Sequence, residues 1–413
     1  LIETETPTVR FKDDRGNDFP NWESVALGEL ADIKLGKMLD KAKHTSGQLL
    51  PYLNNISLRW NDVDTTNLPQ MYFKDSELER FGLRAGDVVV CEGGEPGRSA
   101  IWDGHLPNLK FQKAIHRVRF KVPYEATLLV LYLQRIVGTN RFEMLFTGGG
   151  IKHLTRETFA LLKVPKPSVP EQQKIADFLT SVEKRIGQLI QKKALLEDYK
   201  KGVMQQLFTK AIRFKDDKGN DFPDWEEKKL GEVCSFIKDG THGTHPDDNS
   251  SNYFLLSAKN VKNGRVVFED SDRRISEEEF QSIYRNYSLQ ENDILLSIVG
   301  TIGRAAIYQG EKNIAFQRSV AFLRFDSDIA SFMYQQFLGE DFQKQLLRKK
   351  VVGAQPGIYL GDISSIPILV PHADEQTKIA DFLSAIDRKI ESVATQITET
   401  QTFKRGLLQQ MFV

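Results

Sequence analysis

The chain repeats itself, and the repeat limits what it can fold into more than any other feature. Residues 10–23 read RFKDDRGNDFPNWE and residues 213–226 read RFKDDKGNDFPDWE, with only two differences. EQQKIADFLTSVEKRI at 171–186 returns as EQTKIADFLSAIDRKI at 375–390, and YKKGVMQQLF at 199–208 returns as FKRGLLQQMF at 403–412. The offset is 203 for the first match and 204 for the other two. A period near 200 residues is too long for a solenoid repeat and has the size of a domain. The stretches between the matches diverge strongly, so one polypeptide holds two similar frames around two different inserts. That layout suits a molecule that performs one kind of task twice, on two unlike targets.

Composition bounds the class. Of 413 residues, 40% are hydrophobic and 27% charged, which is ordinary for a globular protein. No apolar run approaches the roughly 18–20 residues of a membrane helix, and no secretory leader is visible. The sequence opens at Leu1 rather than Met, which leaves its natural start open. Two cysteines, Cys91 and Cys234, stand at unrelated places in the two copies and point to a reducing, cytoplasmic setting. With 56 Lys and Arg against 56 Asp and Glu, the chain as a whole is not a strongly basic nucleic-acid binder. Cations do cluster locally at 34–59, 98–121 and 342–360; a solvated surface and a phosphate-facing patch are both open readings.

Residues 171–208 and 375–412 carry apolar residues at alternating spacings of four and three. The series runs through Ile175, Leu179, Val182, Ile186 and Leu189 in the first segment and Ile379, Leu383, Ile386, Ile390 and Val393 in the second. This is a heptad seam. It predicts two helices of about 38 residues, each roughly 57 Å long, packed antiparallel on one another. Ser168 with Glu171 fits a capping box, and Asp374 is placed to cap the second helix. Lys200 and Lys404 fall at equivalent seam positions, where a lysine lowers stability but sets register. Gly202 and Gly406 cost helix stability in both copies, which predicts a close backbone approach there. Lys184, Arg185, Lys192 and Lys193 form charged faces, solvated or available to a partner.

Each insert predicts short strands followed by a helix. In the first copy the strands fall at 87–91, 99–102 and 116–122 and the helix at 126–146; in the second they fall at 293–298, 305–308 and 320–325, with the helix at 329–349. Weak echoes align Gly97-Arg98 with Gly303-Arg304, and Phe111-Gln112-Lys113 with Phe316-Gln317-Arg318. GGEPGR and VGTIGR lack the lysine spacing of a phosphate loop. His242 and His245 with Asp247 lack the further ligands of a metal site. There is no Pro-Pro pair, and no nucleophile, zincin or P-loop motif.

The paired helix starts PEQQKIADFL and DEQTKIADFL, the paired endings, and DFPNWE and DFPDWE followed by Leu27-Gly28-Glu29 and Leu230-Gly231-Glu232 make the chain resemble the specificity subunit of type I restriction–modification enzymes, over nearly its whole length. The resemblance implies an α+β fold of two tandem α/β target recognition domains, separated by two long helices in an antiparallel coiled coil with pseudo-two-fold symmetry. The expected boundaries are 1–167 and 213–372 for the recognition domains, and 168–212 and 373–413 for the spacer helices. It implies a non-catalytic, cytoplasmic subunit that reads double-stranded DNA as two half-sites and docks two methyltransferase subunits, with motor and nuclease subunits joining the full complex. Such a subunit carries no cofactor of its own; S-adenosylmethionine, ATP and Mg²⁺ belong to its partners. A self-contained DNA-modifying or DNA-cleaving enzyme, and a coiled-coil scaffold that never meets DNA, are the alternatives.

By position, the candidate DNA-binding residues of the first module are Lys34, Lys37, Met38, Lys41, Arg98, Gln112, Lys113, Lys152 and His153. Those of the second are Lys238, Thr241, His242, Thr244, His245, Lys259, Asn260, Arg304, Gln317, Arg318, Gln355 and Tyr359. Lys and Arg suit phosphate or guanine, and Gln and Asn suit adenine.

Overall fold

A computed structural model describes residues 7–39, 46–146, 153–351 and 356–412. The chain divides into two compact units, one of residues 1–190 with 395–413 and one of residues 191–394. The divisions fall inside the two long helices, Val169–Phe208 and Ala373–Met411, so each unit owns half of each helix.

In the first unit the strands Ala31–Leu35, Ile115–Phe120, Val88–Cys91 and Ser99–Ile101 lie in that order in an antiparallel sheet. The run VVVC at Val88–Cys91 is buried on both faces, and alternation along the strand explains how. Val88 and Val90 enter a core with helix Ala126–Ile136, while Val89 and Cys91 enter a second core with Tyr52, Leu53, Phe73 and Phe111. That second core belongs to a smaller sheet, ordered Gln70–Phe73, Gln48–Leu53, Lys110–Phe111. Glu23–Ala26 pairs with Lys163–Lys166, closing the module at the start of the first long helix.

The second unit repeats this topology. Its four-stranded sheet runs Phe236–Asp239, Val320–Arg324, Ile294–Ser297, Ala305–Ile307, and its three-stranded sheet Arg274–Ile275, Tyr253–Leu256, Ile314–Phe316. Ile294 and Leu296 face one core and Leu295 the other. The two sheets of strands found here confirm the six predicted strands to within two residues at each end.

The predicted module helices differ from the observed ones. The helix expected over 126–146 ends at Ile136, and a short helix follows at Asn140–Glu143. Gly138 sits between them at φ +82°, a conformation that ends a helix readily only with glycine. The helix expected over 329–349 is likewise two, Ser327–Leu338 and Glu340–Arg348, joined at Gly339.

The heptad seam is internal, as its spacing predicts: Ile175, Leu179, Val182, Ile186, Leu189 and Leu207 are buried on the first long helix, and Ile379, Leu383, Ile386, Val393 and Met411 on the second. Within the first unit, Ile175, Ala176 and Leu179 share a core with Leu408, Met411 and Phe412, and Glu183 binds Lys404. Rising numbers meet falling ones, so these halves run antiparallel. Within the second unit, Met204 and Leu207 share a core with Ile379 and Leu383, and Lys200 binds Asp387, in the same sense.

Three expectations about the helices need correction. The capping box does not form: the Ser168 hydroxyl is buried without a partner, because the Glu171 carboxylate is engaged elsewhere. Asp374 lies inside the first turn and not at its cap; its N–H donates to His372 Nδ1 at 3.4 Å. A Cβ built on Gly202 or Gly406 meets nothing within 4 Å, so no close approach within the chain accounts for either glycine.

Candidate nucleic-acid interface

The duplicated RFKDD…DFP.WE segments hold each recognition module to its long helix. Arg10 donates to Glu171 through Nε at 3.0 Å and Nη2 at 2.7 Å, and Trp22 Nε1 donates to the same carboxylate at 2.9 Å. Arg213 and Trp225 treat Glu375 identically, at 3.1, 2.7 and 2.9 Å. Both carboxylates are fully buried. One helical turn on, Lys174 binds Asp14 and Lys378 binds Asp217; one turn further, Phe11 packs edge-on to Phe178 and Phe214 to Phe382. The turns between are pinned by Asp13 and Asp216, whose side chains accept from the N–H groups of Asn17 and Asn220. Hydrogen bonds from Asn17, its backbone first, hold Asp13 below the usual carboxylate range; Asn220, its side chain first, does the same for Asp216.

Sequence reasoning missed this clamp, although its letters were among the most repeated in the chain. It also missed a second duplicated pair. Arg119 reaches Asp87 through Nε at 2.7 Å and Nη2 at 2.6 Å, and Arg324 reaches Asp293 through the same atoms at 2.7 and 2.8 Å. Both aspartates are buried. The hydrogen bonds they donate to these carboxylates raise both guanidinium pKa values.

Two loop crossings bring candidate residues together. In the first module Lys37 N–H donates to Phe111 O, and Lys113 N–H donates to Lys37 O, placing Lys37, Met38, Gln112 and Lys113 side by side. In the second, Thr241 N–H donates to Phe316 O and Arg318 N–H to Thr241 O, doing the same for Thr241, His242, Gln317 and Arg318. A glycine precedes each crossing for a spatial reason: a Cβ on Gly36 would lie 2.4 Å from the Gln112 backbone, and one on Gly240 would lie 2.1 Å from Phe316 O. Beside these crossings, Leu154 N–H donates to Glu92 O and Ile358 N–H to Ile298 O, so His153 and Tyr359 stand next to the turns that follow the central strands.

The side chains fall into two groups. Met38, Lys113, His153, His242, Thr244, Arg304, Arg318 and Tyr359 are exposed. Others turn inward. Lys37 is 5% exposed and binds Glu77 at 2.5 Å. Arg98 is held by Glu95 and by Asn55 O, at 2.7 and 2.6 Å. Asn260 is buried and bridges Ser257 N–H to Val267 O. His245 is buried between Glu279, at 2.5 Å, and Thr241 Oγ1, at 2.7 Å. Lys34 and Lys259 stay at the surface, 44% and 66% exposed, paired with Asp32 and Asp272, and Lys238 donates to Asn286 O. Gln112 and Gln317 are half-buried at their crossings. Lys41, Lys152 and Gln355 lie outside the described residues.

The cationic run at 98–121 is largely internal. Besides Arg98 and Arg119, Lys110 donates to Leu78 O, and Arg117, 1% exposed, binds Gly82 O and Asp32. Burial pulls the pKa of Lys110 and of Arg117 down. The run at 342–360 differs: Arg348 and Lys350 are exposed at the end of a helix whose Gln343 donates to Gly303 O, next to Arg304. No cluster of His, Cys, Asp and Glu among the described residues is arranged to hold a metal ion, and no described helix is long and apolar enough to cross a membrane.

Known proteins resemble this chain in sequence and fold. The MjaVIII specificity subunit of a type I restriction enzyme from Methanocaldococcus jannaschii is 28% identical over 273 residues, which is 63% of this chain and 64%, a little under two thirds, of that protein. The StySPI specificity subunit from Salmonella potsdam is 20% identical over 421 residues, covering 96% of this chain and 89% of the relative. The crystal structure of the S subunit of a type I restriction–modification system from M. genitalium superposes with a TM-score of 0.58 at 16% identity, over 99% of both chains, and so shares the fold. The profile of the type I restriction modification DNA specificity domain matches twice, at residues 20–198 and 223–401. The chain belongs to that family and carries its domain in two copies.

Proposed function

We propose that this chain is the DNA sequence-recognition subunit of a type I restriction–modification complex, each module reading one half of a bipartite target. Residues 1–167 and 213–372 are the two readers; residues 168–212 and 373–413 are the spacer that docks two methyltransferase subunits. One observation carries the reading: the frame is duplicated down to its hydrogen bonds, while the loops it presents diverge, Lys37-Met38 standing where the second module has Thr241-His242. The subunit is non-catalytic. S-adenosylmethionine, ATP and Mg²⁺ reside on the methyltransferase, motor and nuclease subunits of a cytoplasmic complex.

Within each module the crossed loops meet the bases. The exposed residues Met38, Lys113, His153, His242, Thr244, Arg304, Arg318 and Tyr359 supply contacts, while Lys37, Arg98, Asn260 and His245 hold the loops that carry them. Specific contacts contribute about 1–3 kcal/mol per base, so several per module are needed to compete with non-specific DNA. A net charge of zero leaves much of the phosphate neutralisation to the partner subunits.

The test exchanges residues 227–365 for the corresponding region of a related subunit and sequences the methylated genome. One half of the methylated motif changes and the other stays. A change in both halves, or in neither, defeats the modular reading. Purified chain incubated with DNA, Mg²⁺ and S-adenosylmethionine neither cuts nor methylates; either activity restores the self-contained enzyme as the better account.

A further inference from the structure

Each unit carries a polar layer where the recognition module meets the helix pair. In the first, Lys404 of the second long helix binds Glu183 of the first and donates to Gln134 Oε1 at 2.8 Å. Gln134 Nε2 donates to Asn61 Oδ1 at 2.7 Å, and Asn61 Nδ2 donates back to Glu183 Oε1 at 2.9 Å, closing a ring of four side chains. In the second, Lys200 of the first long helix donates to both oxygens of Asp387 at 2.7 and 2.8 Å, and Gln335 Nε2 donates to Asp387 Oδ2 at 2.9 Å. The lysines are 14% and 10% exposed. Gln134 and Gln335 both come from the module helix packed on the four-stranded sheet.

We propose that these layers lock the register of the helix seam, and that Lys200, Lys404, Glu183, Asp387, Gln134 and Gln335 are positioning residues for the separation of the two half-sites. The proposal rests on the bipartite reading above. An apolar heptad seam is nearly as content one turn out of register as in register. A slip of one turn shifts the helices by about 5.4 Å, more than the roughly 3.4 Å rise of one base pair. One turn out of register Lys404 would face Gly187 or Leu179 instead of Glu183, and Lys200 would face Glu391 or Leu383 instead of Asp387; at least one ammonium then lacks its carboxylate, and an unpaired ammonium in such a seam penalises that register. The glutamines tie the module to the same lock, so its angle on the helices is set with the register. Stability alone would favour an apolar layer; the polar one supplies uniqueness.

The experiment uses the chain assembled with its methyltransferase subunits. The wild-type motif and its spacing are mapped first; a complex that methylates no bipartite site ends the functional reading itself. Lys404→Met with Glu183→Leu and Gln134→Leu makes the first layer apolar, and Lys404→Glu with Glu183→Lys reverses the pair. Methylation is then measured on the native site and on sites whose spacer is one or two base pairs longer or shorter, and melting is measured on each chain. The apolar variant melts at or above the wild type, yet its activity on off-spacing sites relative to the native site rises at least about tenfold, the size of a typical polar coupling. The reversed pair keeps the wild-type ratio. An apolar variant with an unchanged ratio, one too unstable to assemble, or a reversed pair as permissive as the apolar one, overturns the proposal.

Discussion

The two carboxylate clamps and the two loop crossings show opposite behaviour across the duplication. Arg10, Trp22 and Glu171 reproduce Arg213, Trp225 and Glu375 to within 0.1 Å in all three hydrogen bonds. At the crossings the backbone and the Phe-Gln-cation segment are reproduced, but the side chains of the loop that meets it are not. Where the first module buries Lys37 against Glu77, the second places Thr241 against His245, which is held in turn by Glu279. Where Arg98 is tied down by Glu95 and Asn55, the Arg304 side chain is exposed and has no partner among the described residues. A fully buried charge admits few solutions, so the frame stays the same; a half-exposed loop on a rigid backbone admits many, so the readers part.

The strongest way to break the comparison is to remove a clamp. Glu375→Ala leaves Trp225 with no acceptor and the Arg213 guanidinium with Pro223 O and Asp224 only, and costs about 3–5 kcal/mol; Glu171→Ala costs the same within about 1 kcal/mol, by chemical denaturation of each. Unequal losses would show that the copies only look alike. Next come the two arginines. Arg98→Ala lowers stability by about 1–3 kcal/mol, since it strips a charged donor from Asn55 O inside the module. Arg304→Ala changes stability by less than about 0.5 kcal/mol but lowers the salt dependence of DNA binding by about one counterion. Smaller still, Gly202→Ala and Gly406→Ala each stabilise the free chain by up to about 1 kcal/mol, because nothing within 4 Å opposes the added methyl; thermal melting reads this directly.

The finest distinction is one of pH. His116 is wholly buried, its Nε2 on Leu154 O at 2.6 Å, and burial pushes its pKa below the ordinary 6.5. The unfolded chain therefore takes up a proton at a pH where the folded chain does not. Stability from this site is complete above pH 6.5 and falls as pH drops from there toward the lower folded value. The equivalent residue of the second module, by strand alignment, is Ala321. Hydrogen exchange between pH 7.5 and 5.5 should show the first unit loosening with acid more than the second, and His116→Leu should remove the difference.

Much of this was legible beforehand, and the reasons are local. The six strands and both long helices follow from short periodicities in neighbouring residues. The frame was visible as repeated letters, but its chemistry was not: Glu171 looked like half of a capping box with Ser168, because the arginine that claims it lies 161 positions away. Linear clustering misled at 98–121, where four of six cations turn inward, each to a partner more than 30 positions away. The module helices read as continuous because periodicity passes over one glycine, and it took the packed backbone to show a break at Gly138 and Gly339.

The sequence by itself determined the duplication, the paired heptad seams and the division between a constant frame and variable inserts, since repetition and periodicity are written in adjacent letters. Only the tertiary structure decided which charges face inward, that Lys200 and Lys404 meet Asp387 and Glu183, and that Gly36 and Gly240 exist to let two loops cross. Those outcomes depend on which distant groups share a desolvated space, and a buried charge selects its partner by geometry that no local pattern encodes.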